Sequence, residues 1–379
     1  MPSFPDSSIL PRRRRSQSAG EVRGDAARLE ERRRRQYFPV SKRTELTMSA
    51  QTPQEQILGI VNNHWQSCCV GAAAQLELAD LLADGPLHVD VLAERTKTHA
   101  PSLYRMLRAL ESTGIFTQPS PHVFANTPAS ECLRRRLAGS NWAWIRFTLS
   151  AGAPVFEGWR GLMQSLQNGR PGFDQVTGQN AWEHMQTNPQ TQTIFNQAMR
   201  DLSASISPAV ATSFDWSRFP IIADIGGGIG SQLSCILDTH PSCRGILFDQ
   251  PAVVAEAPEH GRMERVGGDF FKDVAVLADA YVMRWVLHDW SDEESVGLLT
   301  NVRSVAAKES RLMVVESVIP ETPEFDMGKW MDLNMMVMAT GRERTAAEFR
   351  DLFERAGFAL EQIVPTPSPL SIVIGKPIV

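Results

Sequence analysis

The segment 221–232, with the sequence IIADIGGGIGSQ, combines a short apolar strand, a turn of four glycines and the start of a helix. Glycines in such a turn let a ligand approach the main chain, and the amino end of the following helix attracts polar ligand groups. The register from Asp224 to Gly230 is D-x-G-x-G-x-G, which differs from the G-x-G-x-x-G fingerprint of dinucleotide-binding proteins. We therefore expect Asp224, Gly226 and Gly228 to contact a nucleotide-like cofactor.

Strand and helix patterns alternate from residue 220 to the end of the sequence. This alternation indicates an α/β fold with a Rossmann-like, doubly wound parallel sheet that is covered by helices on both faces. Ligands in such sheets bind at the carboxyl ends of the strands, so functional residues should cluster there. The predicted strands cover residues 221–225, 245–249, 280–286, 311–318, 358–364 and 370–375.

The chain before residue 150 has a mostly helical pattern. Apolar residues recur at helical spacing over 54–82, and a second helix is predicted from about 101 to 112, followed by a two-stranded wing over 116–124. This winged-helix pattern defines a predicted domain of residues 49–150. The sheet and a set of connecting helices then form a second domain, residues 151–379.

The winged-helix pattern raises the question of DNA binding. The second helix carries only Arg105 and Arg108, whereas Leu103, Leu107 and Leu110 on the same helix provide the apolar face that packing requires. Two basic residues are a weak electrostatic footprint for a DNA-binding protein. A role in dimerisation or in gating a substrate is favoured, and nucleic acid is not an expected partner.

A basic arm precedes these domains. Residues 1–47 contain 12 Lys and Arg against 6 Asp and Glu, so the arm carries about +6 and the remainder about −11. With few apolar residues the arm, residues 1–48, is expected to be disordered. Contact with nucleic acid or an anionic surface through its arginine runs is the alternative, and a transit peptide is disfavoured because the segment is not acid-poor.

The bulk composition limits the class of protein. Apolar residues make up 42% of the 379 residues, which suffices for two globular domains. No run of about eighteen apolar residues and no secretory signal occurs, so a cytoplasmic protein without a membrane partner is expected. The five cysteines show neither C-x-x-C spacing nor nearby histidines, which disfavours a disulfide framework and a zinc site.

Two further segments carry candidate cofactor-binding residues. Asp249 ends the strand that follows the glycines, about twenty residues after them, where a carboxylate can accept both hydroxyls of a ribose. A cap or turn role before Pro251 is its structural alternative. The segment 268–271, GDFF, follows a predicted third strand, and Asp269 beside Phe270 suits the amino group and the ring face of adenine.

His288 is the candidate general base. It lies in the segment RWVLHDWSDEE at the end of the predicted fourth strand, where the sheet opens onto its ligand crevice. An ordinary imidazole titrates near pH 6.5 and a phenol near 10, so a positioned histidine can accept a hydroxyl proton. Glu316 ends the fifth strand, and Glu343 lies in a loop before a helix. Either carboxylate could hold the second imidazole nitrogen, although Glu343 could equally be a surface charge.

The acidic residues after His288 could be mistaken for a metal site. Ser291 and Glu294 are better interpreted as a capping box for the next helix. No second group of hard oxygen or histidine ligands accompanies them, so no metal is expected. Five methionines in the predicted helix at 327–338 could adapt to a flat ligand or belong to the core.

Together these motifs resemble a known family. The segments DIGGGIG, FDQP, GDFF, LHDWSDEE, VVESVIP and GRERTAAEF, in this order after a winged-helix region, are similar to O-methyltransferases of the caffeate, flavonoid and acetylserotonin type and to their fungal and bacterial relatives. The similarity extends over nearly everything after Met48.

The resemblance implies an S-adenosylmethionine-dependent catalytic domain over 151–379 and a winged-helix domain used for homodimerisation. It implies His288 as general base, oriented by Glu316 and Glu343 without a metal, and a small hydroxylated aromatic substrate. It also places the cofactor on a set of residues that includes an arginine where plant members often have lysine. The cofactor-binding residues implied by the resemblance are Gly226, Gly228, Asp249, Asp269 and Phe270. Asp224 of the glycine motif and Arg284, at the position of that lysine, complete the candidate set.

Two other functions compete with this interpretation. An NAD-dependent dehydrogenase also places an acid after a glycine loop, but the glycine register opposes it and no Tyr-x-x-x-Lys pair is present. A non-catalytic regulator could bind S-adenosylmethionine and DNA, but His288 and its two glutamates disfavour that role. The methyl acceptor itself is left open, as is the choice between oxygen and nitrogen.

Overall fold

The computed structural model describes residues 52–150 and 152–378, so the predicted basic arm lies outside the described residues. The chain divides into two compact units, one ending at His64 and the other beginning at Trp65. Both the winged-helix segment from Trp65 onward and the large sheet belong to the second unit. Among the described residues, no helix has the length and apolar character needed to cross a membrane.

The winged-helix segment is confirmed as a helical region with a small antiparallel sheet. Leu103, Leu107 and Leu110 are buried, as their helical spacing predicts. The predicted two-stranded wing has a third short strand, because Leu87 pairs with Phe124 in the order β1-β3-β2. The elements are α1 (Pro53–Gln75), α2 (Leu78–Leu81), β1 (Leu87–His88), α3 (Val89–Thr96), α4 (Ala100–Ser112), β2 (Phe116–Ser120), β3 (Val123–Asn126) and α5 (Pro128–Glu131).

Among the described residues, six helices connect this segment to the large sheet. They carry many aromatic side chains, and Phe147, Phe173 and Met185 share an apolar cluster with Val337 and Met338 from a later helix. The connecting helices are α6 (Trp142–Leu149), α7 (Pro154–Arg160), α8 (Leu162–Asn168), α9 (Gly172–Thr177), α10 (Ala181–Thr187) and α11 (Pro189–Ser213).

The remaining chain forms the seven-stranded sheet and its covering helices. A 3₁₀ helix (Trp216–Arg218) precedes the sheet, and a second one (Leu287–Asp289) follows the fourth strand. A short parallel pair, β9 and β10, lies outside the seven-stranded sheet. The elements are β4 (Ile221–Ile225), α12 (Ser231–Thr239), β5 (Arg244–Asp249), α13 (Pro251–Ala255), β6 (Met263–Gly267), β7 (Ala280–Arg284), α14 (Asp292–Val305), β8 (Arg311–Glu316), β9 (Val318–Ile319), α15 (Met327–Met338), β10 (Arg344–Thr345), α16 (Ala346–Arg355), β11 (Phe358–Pro365) and β12 (Ser371–Pro377).

The strand order is β11-β12-β8-β7-β4-β5-β6, which confirms the Rossmann-like, doubly wound fold. Five strands are parallel, but β11 and β12 run antiparallel to their neighbours, so the sheet is mixed rather than fully parallel. The reason is the short connection at 366–370, because a parallel pair requires a crossover of a dozen or more residues.

Helices cover both faces of the sheet. Apolar residues of α14 and α16 pack on one face, and those of α11 and α12 pack on the other. This burial on both sides explains why the central strands β4, β7 and β8 are mostly apolar. The carboxyl ends of β4, β5, β7 and β8 lie at one edge of the sheet, and Asp249, Arg284, His288 and Glu316 lie at or just after the ends of these strands.

Candidate functional site

The glycine turn after β4 brings bare backbone to the carboxyl edge of the sheet. Gly226 and Gly228 have φ of 70° and 61°, in the left-handed region that favours glycine. The Gly226 amide donates to the Phe248 carbonyl at 2.8 Å. A Cβ on Gly227 would lie 2.6 Å from Cγ of Asp224, so the turn wraps directly over that carboxylate.

Asp249 is held by two main-chain donors. Its Oδ2 accepts from the Gly228 amide at 2.8 Å, and its Oδ1 accepts from the Gln250 amide at 2.7 Å. Burial raises the pKa of Asp249, and the two amides act in the opposite direction. The carboxylate is therefore fixed at the end of β5, against the glycine turn, where it can accept further hydrogen bonds from a ligand.

Buried Asp224 and partly buried Arg284 carry opposite charges and have unused hydrogen-bonding capacity. Asp224 is 1% exposed, and neither of its oxygens accepts a hydrogen bond of normal geometry from the described residues. Burial raises its pKa to about 7, and the positive charge of Arg284 opposes this shift. Arg284 donates from Nη2 to Oγ of Ser203 at 2.6 Å, while its buried Nη1 has no partner in the described chain.

Phe270 and Asp269 differ in their surroundings. Phe270 lies beside the glycine turn, since a Cβ on Gly226 would be 3.3 Å from its ring. Its ring also meets Trp290 edge-on at 6.4 Å. Asp269 pairs with Lys272 at 3.1 Å, and the hydrogen bond from Lys272 is the main cause that lowers its pKa. The structure thus brings Phe270 to the glycine turn, whereas the carboxylate of Asp269 is engaged by a lysine.

His288 lies in the 3₁₀ turn after β7. The strand ends at Arg284, two residues earlier than predicted, because Trp285 has a left-handed φ of 55° that interrupts the extended chain. The imidazole is 12% exposed and lies parallel to the Trp285 ring at 6.4 Å. Its Nδ1 is 2.8 Å from Oε1 of Glu343, and its Nε2 is 3.6 Å from Oδ1 of Asp289.

Carboxylates dominate the electrostatics of this histidine. Burial alone would lower the pKa of His288, but Asp289, Glu343 and Glu316 together outweigh it and raise the pKa to about 9. Burial also raises the pKa of Asp289, to about 6. Sequence reasoning missed Asp289 as a partner of Nε2. Its position directly after His288 is the available signal, but the sequence groups it with the acidic residues around the capping box.

Glu316 accepts hydrogen bonds from the backbone of the turn rather than from the imidazole. Its Oε1 accepts from the amides of Val286 and His288 at 3.2 and 3.1 Å. Its Oε2 has no hydrogen-bond partner in the described chain, and burial raises its pKa to about 7. We expected either carboxylate to hold the second imidazole nitrogen. Only Glu343 does so here, because the main-chain amides of the turn point at Glu316.

The rest of the predicted acidic segment is structural. The capping box of α14 is confirmed, with the Glu294 amide donating to Oγ of Ser291 at 3.3 Å. The described residues contain no group of three or more His, Cys, Asp or Glu side chains arranged to hold a metal ion. On α15, Met335 and Met338 are buried, whereas Met327 is exposed.

Comparison with protein families matches most of the chain. An O-methyltransferase domain matches residues 159–359, and an O-methyltransferase dimerisation domain matches residues 58–136. The phenazine O-methyltransferase of Lysobacter antibioticus is 37% identical over 329 residues, which cover 85% of this chain and 96% of that protein. The 8-amino-8-demethylriboflavin N,N-dimethyltransferase of Streptomyces davaonensis is 36% identical over 318 residues, covering 80% and 89%.

A solved structure is also similar. It is an O-methyltransferase from neocarzinostatin biosynthesis in complex with S-adenosylmethionine and 2-hydroxy-5-methyl naphthoic acid. Its TM-score is 0.72 at 30% identity, and the match covers 83% of this chain and 96% of that chain.

Proposed function

Because this chain belongs to the S-adenosylmethionine-dependent O-methyltransferase family, we propose that it methylates a hydroxyl of a small aromatic or polyketide-like metabolite, with His288 as general base. S-adenosylmethionine is the cofactor of this family. The observation that carries the proposal is the 2.8 Å contact between His288 and the buried Glu343, at the sheet edge that also carries the glycine turn.

The residues at the sheet edge fit the cofactor. Unused oxygens on Asp224 and the unused Nη1 of Arg284 suit the amino and carboxylate groups of its methionine end. Asp249, fixed by two amides, suits the ribose hydroxyls, and Phe270 suits the adenine face. When bound, the cofactor supplies an electrophilic methyl group on a sulfonium. In the same proposal Gly226 and Gly228 lie against the cofactor, and Asp269 accepts from the amino group of adenine.

In this proposal His288 accepts the proton of the acceptor hydroxyl. Glu343 accepts from Nδ1–H, which leaves Nε2 as the nitrogen that can take a proton from the acceptor hydroxyl. The pKa of about 9 lies close to that of a phenol, near 10, so proton transfer between the two groups is nearly balanced. A positive charge bound nearby would lower the pKa of His288 from about 9 toward neutrality. Alignment of the hydroxyl for in-line displacement supplies the rest of the rate enhancement.

The first experiment measures cofactor binding and turnover on the full chain. Calorimetric titration should give binding of S-adenosylmethionine and S-adenosylhomocysteine and none of NAD. A radiolabelled methyl group should then appear on hydroxylated aromatics, and His288→Gln should lose turnover while keeping cofactor affinity within about twofold. Transfer that persists in His288→Gln would contradict the base assignment, and NAD binding alone would restore the dehydrogenase alternative.

An amine acceptor is the second candidate. The observation that favours it is the riboflavin relative, whose name specifies dimethylation of an amino group at 36% identity. A panel with matched pairs, each a phenol and the corresponding aniline on the same ring system, distinguishes the two. Methyl transfer only to the anilines would replace the hydroxyl in our proposal.

We also propose that the protein is a homodimer. The matched dimerisation domain supports this assembly, and α1 carries apolar side chains that are about 60% exposed, among them Ile57, Ile60 and Val61. Light scattering coupled to gel filtration should give twice the chain mass, and Ile60→Asp should shift it toward the monomer. A wild-type monomer at micromolar concentration would contradict the proposal.

A further inference from the structure

Arg344 follows Glu343 in the chain, and its side chain is fully buried. Its Nη1 donates to the carbonyl of Leu287 at 3.1 Å, and its Nη2 donates to the carbonyl of Trp290 at 3.2 Å. These two carbonyls flank the pair His288 and Asp289. One guanidinium therefore bridges both ends of the turn that carries the proposed base.

The same guanidinium is anchored on its other side. Nε and Nη2 both donate to Oδ1 of Asp292, at 2.9 and 2.8 Å, and Nη2 also reaches Oγ of Ser295 at 3.3 Å. Asp292 and Ser295 belong to the first turn of α14. Since Arg344 itself pairs with Val318 between β10 and β9, it ties the turn to two rigid elements.

Gly341, three residues before Arg344, packs directly against the same turn. A Cβ built on Gly341 would overlap the carbonyl oxygen of His288 and the peptide between Asp289 and Trp290. The loop 341–344 therefore touches the turn at three places. Gly341 lies on its peptide, Glu343 contacts its imidazole and Arg344 binds its carbonyls.

We infer that Arg344 is a positioning residue that fixes the backbone of the Leu287–Trp290 turn and thereby holds His288 in line with Glu343 for proton transfer. This inference rests on the proposed function. The planar fork of arginine matches two carbonyls and a carboxylate at once, whereas a lysine ammonium at the same place is a single point charge. Arg344→Lys therefore keeps the positive charge and loses the geometry.

Asp292→Asn is the matched control. The asparagine oxygen still accepts from the guanidinium, so both carbonyl contacts survive while the ion pair is lost. If Arg344 only stabilised the fold through its ion pair, Asp292→Asn would lower the melting temperature more than the charge-retaining Arg344→Lys, and neither variant would lower kcat. If it positions the turn, Arg344→Lys alone should impair the chemical step.

The test compares full-length Arg344→Lys, Asp292→Asn and His288→Gln with the wild type, well below their melting temperatures. For Arg344→Lys we expect a cofactor Kd within about twofold, an acceptor KM within about threefold and a kcat lowered about 10- to 100-fold, as for a small misplacement of a reacting group. For Asp292→Asn we expect a kcat within about threefold.

NMR titration of labelled histidine gives a readout that does not depend on turnover, with His288 assigned from the His288→Gln spectrum. The groups that face its ring are Asp289 on its own turn, Glu343 on the loop and Glu316 at the end of β8. If the ring moves away from these carboxylates in Arg344→Lys, the pKa of His288 should fall toward the ordinary value near 6.5. The positive charge is retained in Arg344→Lys, so the fall would report geometry.

A wild-type kcat and His288 pKa in Arg344→Lys, with only the melting temperature lowered, would overturn the inference. If Arg344→Lys does not fold, Arg344→Gln takes its place, because the shorter glutamine amide cannot bridge the carbonyls of Leu287 and Trp290 and should lower kcat similarly. Full turnover in His288→Gln would instead disprove the proposed base, and the NMR titration of Arg344→Lys would still measure the positioning.

Discussion

Oδ1 of Asp289 lies 3.6 Å from Nε2 of His288, the nitrogen that Glu343 leaves available. The imidazole therefore has a carboxylate at each nitrogen, one engaged through Nδ1 and one near the proposed acceptor side. Burial raises the pKa of Asp289 to about 6, so this side of the ring is anionic at neutral pH. Such a group favours acceptors with a second hydrogen-bond donor and repels anionic ones.

Asp289→Asn should make the base titrate at lower pH. The negative charge of Asp289 is among the causes that raise the pKa of His288, so its removal lowers that pKa. The rising limb of kcat/KM against pH should move to lower pH than in the wild type. The same variant should lose its preference for catechol-like over singly hydroxylated acceptors, and an unshifted profile would show that Asp289 does not act on the base.

Glu343→Gln should impair catalysis far more than binding. The amide can present its NH₂ group to Nδ1 and select the wrong tautomer, as in triads where the equivalent change costs about 10⁴ in kcat. We expect a loss of about 10² to 10⁴ in kcat with cofactor affinity nearly unchanged. Glu348→Gln, on the neighbouring helix α16, is a control that keeps the capping interaction with Thr345. Equal losses in both variants would indicate a general disturbance of the loop.

The pH dependence of the wild type follows from the same histidine. Its pKa is raised from 6.5 to about 9, so the free enzyme carries the proton at neutral pH and kcat/KM should rise as pH approaches 9. The stability of the fold changes with pH in the opposite direction to kcat/KM. A raised histidine pKa stabilises the fold fully below about pH 6.5, and this contribution declines as pH rises through 9. Melting temperatures across pH 6 to 10, compared with those of His288→Gln, measure it.

Much of the fold could be predicted because the local sequence determines it. The strands at 221–225 and 311–316 are mostly buried, and most of their residues are apolar. The predicted end of β7 was wrong. The segment AYVMRWV has the residue pattern of a strand throughout, and the sequence does not indicate that Trp285 has a left-handed backbone. The antiparallel edge was missed because pairing partners are set by loop length and packing rather than by strand pattern.

The site was predictable as a list of residues but not as a set of contacts. His288 and Glu343 are 55 positions apart, and no spacing rule indicates that they lie 2.8 Å apart. Whether Glu316 reaches an imidazole or two amides depends on the direction of those amides in a short turn. From its charge alone, Arg344 would be expected at the surface. It is buried because the surrounding carbonyls and a carboxylate accept its hydrogen bonds, and these partners cannot be identified from the sequence.

Asp224→Asn should stabilise the cofactor-free protein and weaken cofactor binding. Burial raises the pKa of Asp224 from 3.8 to about 7. The folded state therefore loses stability as pH rises from about 4 to 7, and this loss persists at higher pH. The neutral amide avoids this cost, and we expect a melting temperature a few degrees higher at pH 8, equivalent to about 1–3 kcal/mol. At pH 4 the two proteins should differ little.

The affinity for S-adenosylmethionine should change in the other direction. Asn loses the charge that we assign to the amino group of the cofactor, and charge-assisted hydrogen bonds are worth about 1.5–3 kcal/mol, so a Kd raised about 10- to 100-fold is expected by calorimetry. Unchanged affinity would remove Asp224 from the cofactor site. A melting temperature that stays the same at pH 8 would mean that an ordered water or ion already satisfies its oxygens.

Gly228→Ala and Gly227→Ala separate backbone strain from steric exclusion in the glycine turn. At Gly228 a Cβ would meet nothing within 4 Å, so the cost is the left-handed φ of 61°, about 1–2 kcal/mol. At Gly227 the Cβ would overlap the side chains of Asp224 and Leu247, so a larger loss of stability is expected. Both losses can be measured by denaturant unfolding without cofactor. If Gly228→Ala keeps most of its stability but loses cofactor binding, the open space above Gly228 is where the cofactor lies against the main chain; retained binding would place the cofactor elsewhere along the sheet edge.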